Sequence, residues 1–369
     1  MKVALVHDWL NGMRGGEKIL EVLCEIYPQA PLFTLFYRPE KVSEVIRRMD
    51  VRPSALNRLP LARTRYRSYL PLFPRAAEAF DLSGCDLVIS VSHAAAKGCR
   101  PPPGAWHVCY CLTPMRYLWF LPEEYFGRNP LVRAALAPFF SSLKRWDAAN
   151  SKRVDEFFAI SKHVAQRIER VYRRPSRVIY PPVDAEFFRP GGAGRGYFLI
   201  VSALVPYKRI DLALRAFRRL GLPLKVVGSG PLQKKLQALS GPETEFLGWL
   251  DPDSLRDCYR GCRGLIFRGE EDFVIVRVVA MACGRPVIGL GAGGLLETVK
   301  PHRAEDQSGA TGVFFYDRSE ASLEGAVRYF LEHEAEFDPS AIRSRALLFS
   351  RDIFKRNLHE AVELSFRNR

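Results

Sequence analysis

The chain opens on Lys2-Val-Ala-Leu-Val-His7, a run of small apolar and β-branched residues, and then turns to the polar, glycine-bearing stretch Asp8-Trp-Leu-Asn-Gly-Met-Arg-Gly-Gly16. After Glu17, apolar residues recur at helical spacing as Ile19, Leu20, Val22 and Leu23. Strand, glycine loop and helix in that order make the first unit of a doubly wound sheet, where glycine permits a sharp turn or the close approach of a ligand to the backbone. The same texture predicts strands over 32–36, 86–90, 107–111, 157–160 and 177–180. Helical stretches separate most of them, which predicts parallel pairing.

The texture breaks at Tyr180-Pro-Pro-Val-Asp184 and Arg189-Pro-Gly-Gly-Ala-Gly-Arg-Gly196, too rich in proline and glycine for a regular element, before a new strand starts at Tyr197. A domain boundary is predicted there. The second half repeats the rhythm, with strands near 224–227, 245–247, 264–267 and 286–289 and helices over 211–220, 232–239, 253–258 and 276–283. The reading is α/β: a Rossmann-like domain over 1–185, a second over 186–350, and a terminal helix over 351–369 that returns to the first. In open parallel sheets ligands bind beyond the carboxyl ends of the strands, which predicts a site in the cleft between the two domains.

Composition agrees with two globular domains: 369 residues, 47% hydrophobic and 26% charged, carry enough apolar surface for two cores. No apolar run approaches the roughly twenty residues of a membrane span, and the first ten lack a signal peptide's basic start, so the expected location is cytoplasmic. The eight cysteines follow no disulfide or zinc spacing and read as reduced core thiols. A net charge of +15 attracts nucleotide phosphates, anionic lipid or nucleic acid. The arginines match no nucleic-acid-binding motif, which sets the last partner aside.

Four strand-end loops carry candidate chemistry. Ser202-Ala-Leu-Val-Pro-Tyr-Lys208-Arg209 places two cations before a helix, and Val226-Val-Gly228-Ser-Gly230-Pro231 places two glycines beside them, together a plausible diphosphate cradle. Each piece alone also reads as an ordinary turn. Phe267-Arg-Gly269-Glu270-Glu271-Asp272-Phe273 crowds three acids into one loop, where Asp272 also reads as a helix cap. Gly291-Ala-Gly-Gly294-Leu-Leu-Glu297 repeats the pattern of glycine loop and acid.

These segments, with His7-Asp8-Trp9-Leu10, Gly15-Gly16-Glu17-Lys18, Thr113-Pro114-Met115-Arg116-Tyr117 and Ala280-Met281-Ala282-Cys283-Gly284-Arg285-Pro286, resemble the retaining, family-4-type glycosyltransferases of the GT-B fold, in particular a bacterial and archaeal branch that includes GDP-mannose-dependent mannosyltransferases. The resemblance implies retaining transfer of a hexose from a nucleotide-diphosphate sugar to a glycan or lipid-linked acceptor. It implies no metal and no cofactor beyond the donor substrate. Lys208, with Arg209, Gly228 and Gly230, is expected at the donor phosphates, Gly15 and Gly16 near donor and acceptor, Glu271 as the catalytic-site acid at the sugar hydroxyls, and Asp272, Phe273 and Glu297 around the donor.

Several positions depart from the resembled pattern. Val279 stands where the motif's second glutamate would bind ribose, Val274 where glycine is usual, and Arg268 and Arg277 where proline is usual; Leu112 replaces a histidine and Ile160 an asparagine. A hydrogen bond to a charged group contributes roughly 1.5–3 kcal/mol, so loss of the ribose contact weakens donor binding about ten- to a hundredfold. Val274 raises a steric concern for a backbone meant to approach the donor. Either Arg268 or Arg277 supplies a replacement contact, or the chain is a catalytically impaired paralogue that acts as a binding or scaffold protein in glycan assembly. Three further features stay open: His93 reads as a stand-in for the missing histidine or a hydrogen-bonded loop residue. The run 57–75, with Arg58, Arg63, Arg65, Arg67 and Arg75, reads as a contact for anionic membrane, a seat for an acidic acceptor or a solvated face. Trp249 reads as a nucleotide-base platform or a core residue.

Overall fold

Apolar residues with nothing to offer water lie in two sheets, each buried on both faces by helices. The computed structural model describes residues 1–127, 129–192, 196–269, 272–303 and 309–367, and of Arg63 the backbone only. Contacts divide the chain into two units, Met1–Pro182 with Phe354–Arg369, and Val183–Ile353.

In the first unit the strands are β1 (Val3–His7), β2 (Leu32–Thr34), β3 (Val51–Pro53), β4 (Leu87–Ser92), β5 (Trp106–Cys111), β6 (Glu156–Ala159) and β7 (Arg177–Val178). They pair in the order β3-β2-β1-β4-β5-β6-β7, and every pairing is parallel among the described residues. The second unit has β8 (Tyr197–Val201), β9 (Leu224–Val227), β10 (Thr244–Gly248), β11 (Cys262–Phe267), β12 (Val287–Leu290) and β13 (Gly312–Phe315), in the parallel order β10-β9-β8-β11-β12-β13. Each sheet runs outward from its first strand in both directions. The order therefore reverses between β1 and β4 in one unit and between β8 and β11 in the other, the crevices where parallel sheets take ligands.

The predicted strands and helices are present with ends shifted by one to three residues, since hydrogen bonding, which apolar texture does not encode, sets the ends. Edge strands β3 and β13 and the helix Pro130–Asn150 extend the pattern. The terminal helix Arg351–Arg367 packs in the first unit from Phe354 on: the Phe354 ring meets Tyr110 edge-on at 5.8 Å, and Trp106 Nε1 donates to Ser365 Oγ at 2.6 Å. All eight cysteines are free thiols, six of them buried.

One buried polar group ties three helices of the first unit to the turn after β4. Lys97 and Asp147 are 2% and 0% exposed, with Nζ 2.6 Å from Oδ1. The other carboxylate oxygen accepts from Trp119 Nε1 at 2.7 Å and Tyr172 OH at 2.9 Å. Removing one member of such a group strands the other charge in a medium that cannot solvate it. Lys97→Met is therefore expected to lower the unfolding free energy by about 3–5 kcal/mol in urea titration. The double variant Lys97→Met/Asp147→Asn is expected to recover part of that loss, because no ionised group is left behind.

Candidate active site

At the first switch point, β1 ends in His7 and Asp8, both fully buried. The Asp8 carboxylate accepts four backbone amides from the loop after β4: His93 at 2.7 Å, Ala94 at 2.9 Å, Ala95 at 2.7 Å and Ala96 at 2.7 Å. Burial pushes this carboxyl up, but the charge and hydrogen bonds of His93, with His7 and the amides, outweigh it and hold it at about 2. The His93 ring, with Nδ1 3.1 Å from Asp8, sits edge-on against Trp9 at 4.5 Å. His93 is thus a loop histidine held by the carboxylate that ends β1.

Trp9, His93 and Tyr117, delivered by the ends of β1, β4 and β5, line a cavity of about 260 Å³. Leu70 and Phe73 form one wall, Tyr125 and Phe126 another, and the exposed Arg14 and Arg67 supply its cations. Ligand pockets commonly measure roughly 300–1,000 Å³, so this one suits a group the size of a single ring. The basic run places Tyr66 in the core, 5.2 Å from Trp9, and leaves Arg58, Arg65, Arg67 and Arg75 exposed beside Leu61 and Leu72, which are 61% and 40% exposed.

Gly15 and Gly16 begin the helix Gly15–Ile26. A Cβ on Gly16 would lie 2.8 Å from Leu112 Cδ1 and 3.5 Å from His7 Cε1, so Leu112 occupies the space beside this glycine and the buried imidazole. Ile160 is buried just before Ser161, whose hydroxyl caps the helix Lys162–Tyr172.

In the second unit, Lys208 is half-buried with Nζ 5.5 Å from the Tyr207 ring, and Arg209 pairs with Asp211 at 3.1 Å. The loops after β8 and β9 pack backbone to backbone: Leu204 N donates to Ser229 O at 3.0 Å, and Leu232 N to Leu204 O at 3.2 Å. A methyl group on Gly228 would overlap the Ser202 carbonyl, and one on Gly230 the Leu204 carbonyl. The neighbouring loop thus already accounts for the missing side chains of Gly228 and Gly230.

Across the switch point lie the loops after β11 and β12. Glu271 lies outside the described residues. Asp272 is buried, and a Cβ on Gly294 would lie 2.5 Å from its carbonyl oxygen and 2.9 Å from Arg277 Nη2. Arg277 is fully buried, its Cζ 5.2 Å from the Phe267 ring and 5.8 Å from the Phe273 ring. Val279 is buried on the same helix, and the half-buried Glu297 offers its carbonyl to Arg345 at 2.8 Å. Val274 has an extended backbone, φ −115° and ψ 107°, a conformation that β-branched residues adopt readily. Trp249 corrects one expectation, since at 78% exposed it is no core residue.

Sequence reasoning missed the four-amide grip of Asp8 and the cavity beside it, whose walls come from segments distant in sequence. It also missed a cluster at the opposite edge: His302 Nε2 and His333 Nδ1 meet the Glu336 carboxylate at 2.9 and 2.8 Å. His302 N donates to Gly312 O, which places that group at the amino end of β13, away from the strand-end loops.

Residues 185–345 match the family model described as Glycosyl transferases group 1. The uncharacterized glycosyltransferase MJ1178 of Methanocaldococcus jannaschii is 30% identical over 150 residues, 39% of this chain and 42% of that protein. The GDP-mannose-dependent alpha-mannosyltransferase of Mycolicibacterium smegmatis is 30% identical over 234 residues, 60% of this chain and 58% of that protein. The chain spans about half the length of the curated relatives it matches. Two solved structures align over nearly all of it: Anabaena Alr3699/HepE in complex with UDP-glucose, TM-score 0.72 at 16% identity over 98% of this chain and 100% of that one, and the sucrose-phosphate synthase of Thermosynechococcus elongatus, TM-score 0.74 at 17% identity over 100% of both. At such identity the likeness establishes the fold: two parallel-sheet, Rossmann-like units of the GT-B class.

Two outcomes test this geometry. Folded Asp8 titrates at about 2 against an ordinary 3.8, so its contribution is complete above about pH 4 and is lost as pH falls toward 2. Asp8→Asn is expected to destabilise the protein by about 2 kcal/mol at neutral pH and to flatten that acid slope, read by denaturant unfolding at a series of pH values. Gly228→Ala, at φ 128° and against a carbonyl, is expected to lower stability by about 2 kcal/mol or more in the same assay.

Proposed function

We propose that the protein is a glycosyltransferase that moves a hexose from a nucleotide-diphosphate sugar, mannose from GDP-mannose first among candidates, to a glycan or lipid-linked acceptor with retention at the anomeric carbon. The observation that carries this reading is the match of residues 185–345 to group 1 glycosyl transferases, over the unit whose strand ends bear Lys208, Arg209, Asp272 and Phe273. The relative that is a GDP-mannose-dependent alpha-mannosyltransferase and the neighbour bound to UDP-glucose support the donor class.

In this reading the second unit holds the donor. Fixed cations at Lys208 and Arg209, with helix amides, neutralise the diphosphate as the bond from the anomeric carbon to the phosphate oxygen breaks. An acceptor hydroxyl forms the new bond on the same face, and its proton passes to the departing diphosphate. Glu271 orients the sugar hydroxyls, and Glu297 belongs to the donor surroundings. The first unit holds the acceptor in the cavity of Trp9, Phe73 and Tyr117, whose aromatic walls suit a sugar ring and whose arginines suit an anionic group. The exposed arginines and leucines of 58–75 then rest on anionic lipid at the inner membrane surface. Among the described residues no helix is long and apolar enough to cross a membrane.

A second reading, a catalytically impaired paralogue with a scaffold role in glycan assembly, is favoured by one observation: Leu112 fills the place beside Gly16 and His7 with a side chain that makes no hydrogen bond. Thermal-shift screening against GDP- and UDP-sugars separates the two, run with Val279→Glu and Leu112→His, singly and together. A transferase is expected to be stabilised by one donor and to release its nucleotide when acceptor is present. Absence of both effects in wild type, with recovery in the double variant, selects the impaired paralogue. Wild-type turnover equal to that of the double variant removes it.

A further inference from the structure

Arg268 directly follows β11, at the crevice between β8 and β11 where the second sheet reverses its order. It is only 9% exposed, and its Nε and Nη2 are buried without a hydrogen-bond partner among the described residues. Among the described residues the leading charges that act on it are Arg209 and Arg318, which repel it, and Asp211 and Glu320, which attract it. Both acids are engaged elsewhere. Asp211 takes Arg209 Nε at 3.1 Å and Nη2 at 3.3 Å, while Glu320 takes Arg215 at 3.4 Å and a short contact from Arg219. Asp211 and Glu320 lie in the first turns of the helices Ile210–Leu220 and Glu320–Glu332, whose amino ends add positive potential at this edge.

A guanidinium with unused donors, withdrawn from water among other cations, is unfavourable as it stands and becomes favourable when an oxyanion arrives. We propose that Arg268 is the receptor for a diphosphate, its fork taking two oxygens of the group, and that the diphosphate is that of the nucleotide sugar; the second clause rests on the transferase reading. Burial and the charge of Arg209 hold the guanidinium down at about 10, the direction a bound anion would reverse. The group remains cationic at neutral pH, as an anion receptor requires.

Isothermal titration of the full chain with inorganic pyrophosphate, GDP-mannose, UDP-glucose, guanosine and uridine tests this, comparing wild type with Arg268→Ala and Arg268→Lys. Pyrophosphate and whichever nucleotide sugar binds are expected to weaken about ten- to a hundredfold in Arg268→Ala and less in Arg268→Lys, with the nucleosides unchanged. Pyrophosphate binding that depends on Arg268 in a protein that binds no nucleotide sugar leaves the receptor standing and removes the transferase reading. Nucleotide-sugar binding that is unaltered in Arg268→Ala overturns the assignment to the donor, and unaltered pyrophosphate binding overturns the receptor itself. A structural role is separated by Arg268→Met in the ligand-free protein: its melting temperature is expected to equal or exceed that of wild type, because an unpaired buried charge has gone. A lower one overturns the proposal.

Discussion

Parallel pairing is the constraint on which the chemistry of this chain depends. A parallel strand needs a crossover to return to the sheet, and each crossover leaves from the same edge. Loops after β1, β4 and β5 therefore meet at one rim of the first sheet, and loops after β8, β9, β11 and β12 at one rim of the second. Residues far apart in sequence become neighbours by topology: Asp8 grips amides of residues 93–96, and Gly16 abuts Leu112. The order reversal in each sheet opens the crevice that the trailing loops then line.

The two rims solve the crowding of loops differently. In the first unit a carboxylate does the work, since four amides converging on Asp8 need an anion and find one buried in place. In the second, carbonyls of residues 202 and 204 press so closely on the following loop that only glycine fits at 228 and 230. One rim is held by electrostatics and the other by the absence of side chains. The second rim also carries the cations Lys208, Arg209 and Arg268.

Much of the fold was legible because alternating apolar and glycine-bearing segments carry the βα rhythm directly. The strands 224–227 and 107–111 and the helix 211–220 are visible as apolar runs bounded by turn residues. The strand-end loops of the second unit that carry its candidate residues were legible because they are contiguous and adjoin such strands. The cavity of the first unit was not: Trp9, Phe73, His93 and Tyr117 carry no shared local pattern, and only the three-dimensional order β2-β1-β4-β5 brings them together. The role of Asp8 was hidden for the same reason, since its partners lie beyond another strand and are main-chain groups, which a sequence does not distinguish. Val274 is a different case. Its side chain bears on the site only through a bound donor, and its own backbone is an ordinary extended one.

The altered positions of the second unit have one electrostatic sense. Against the resembled pattern, Val279 in place of a glutamate would remove a negative charge, and Arg268 and Arg277 in place of prolines would add two positive ones. Arg277 is spent internally, fully buried between the rings of Phe267 and Phe273 and close against Gly294. Arg268 is not, since the acids near it already serve other arginines. For the proposed donor this exchanges a directional contact at the ribose for a charge contact at the diphosphate. Ribose hydroxyls and diphosphate alike are common to every ribonucleotide sugar, so neither contact tells one donor from another. Selectivity for one donor then falls to whatever groups surround the base and the hexose, the two parts in which nucleotide sugars differ.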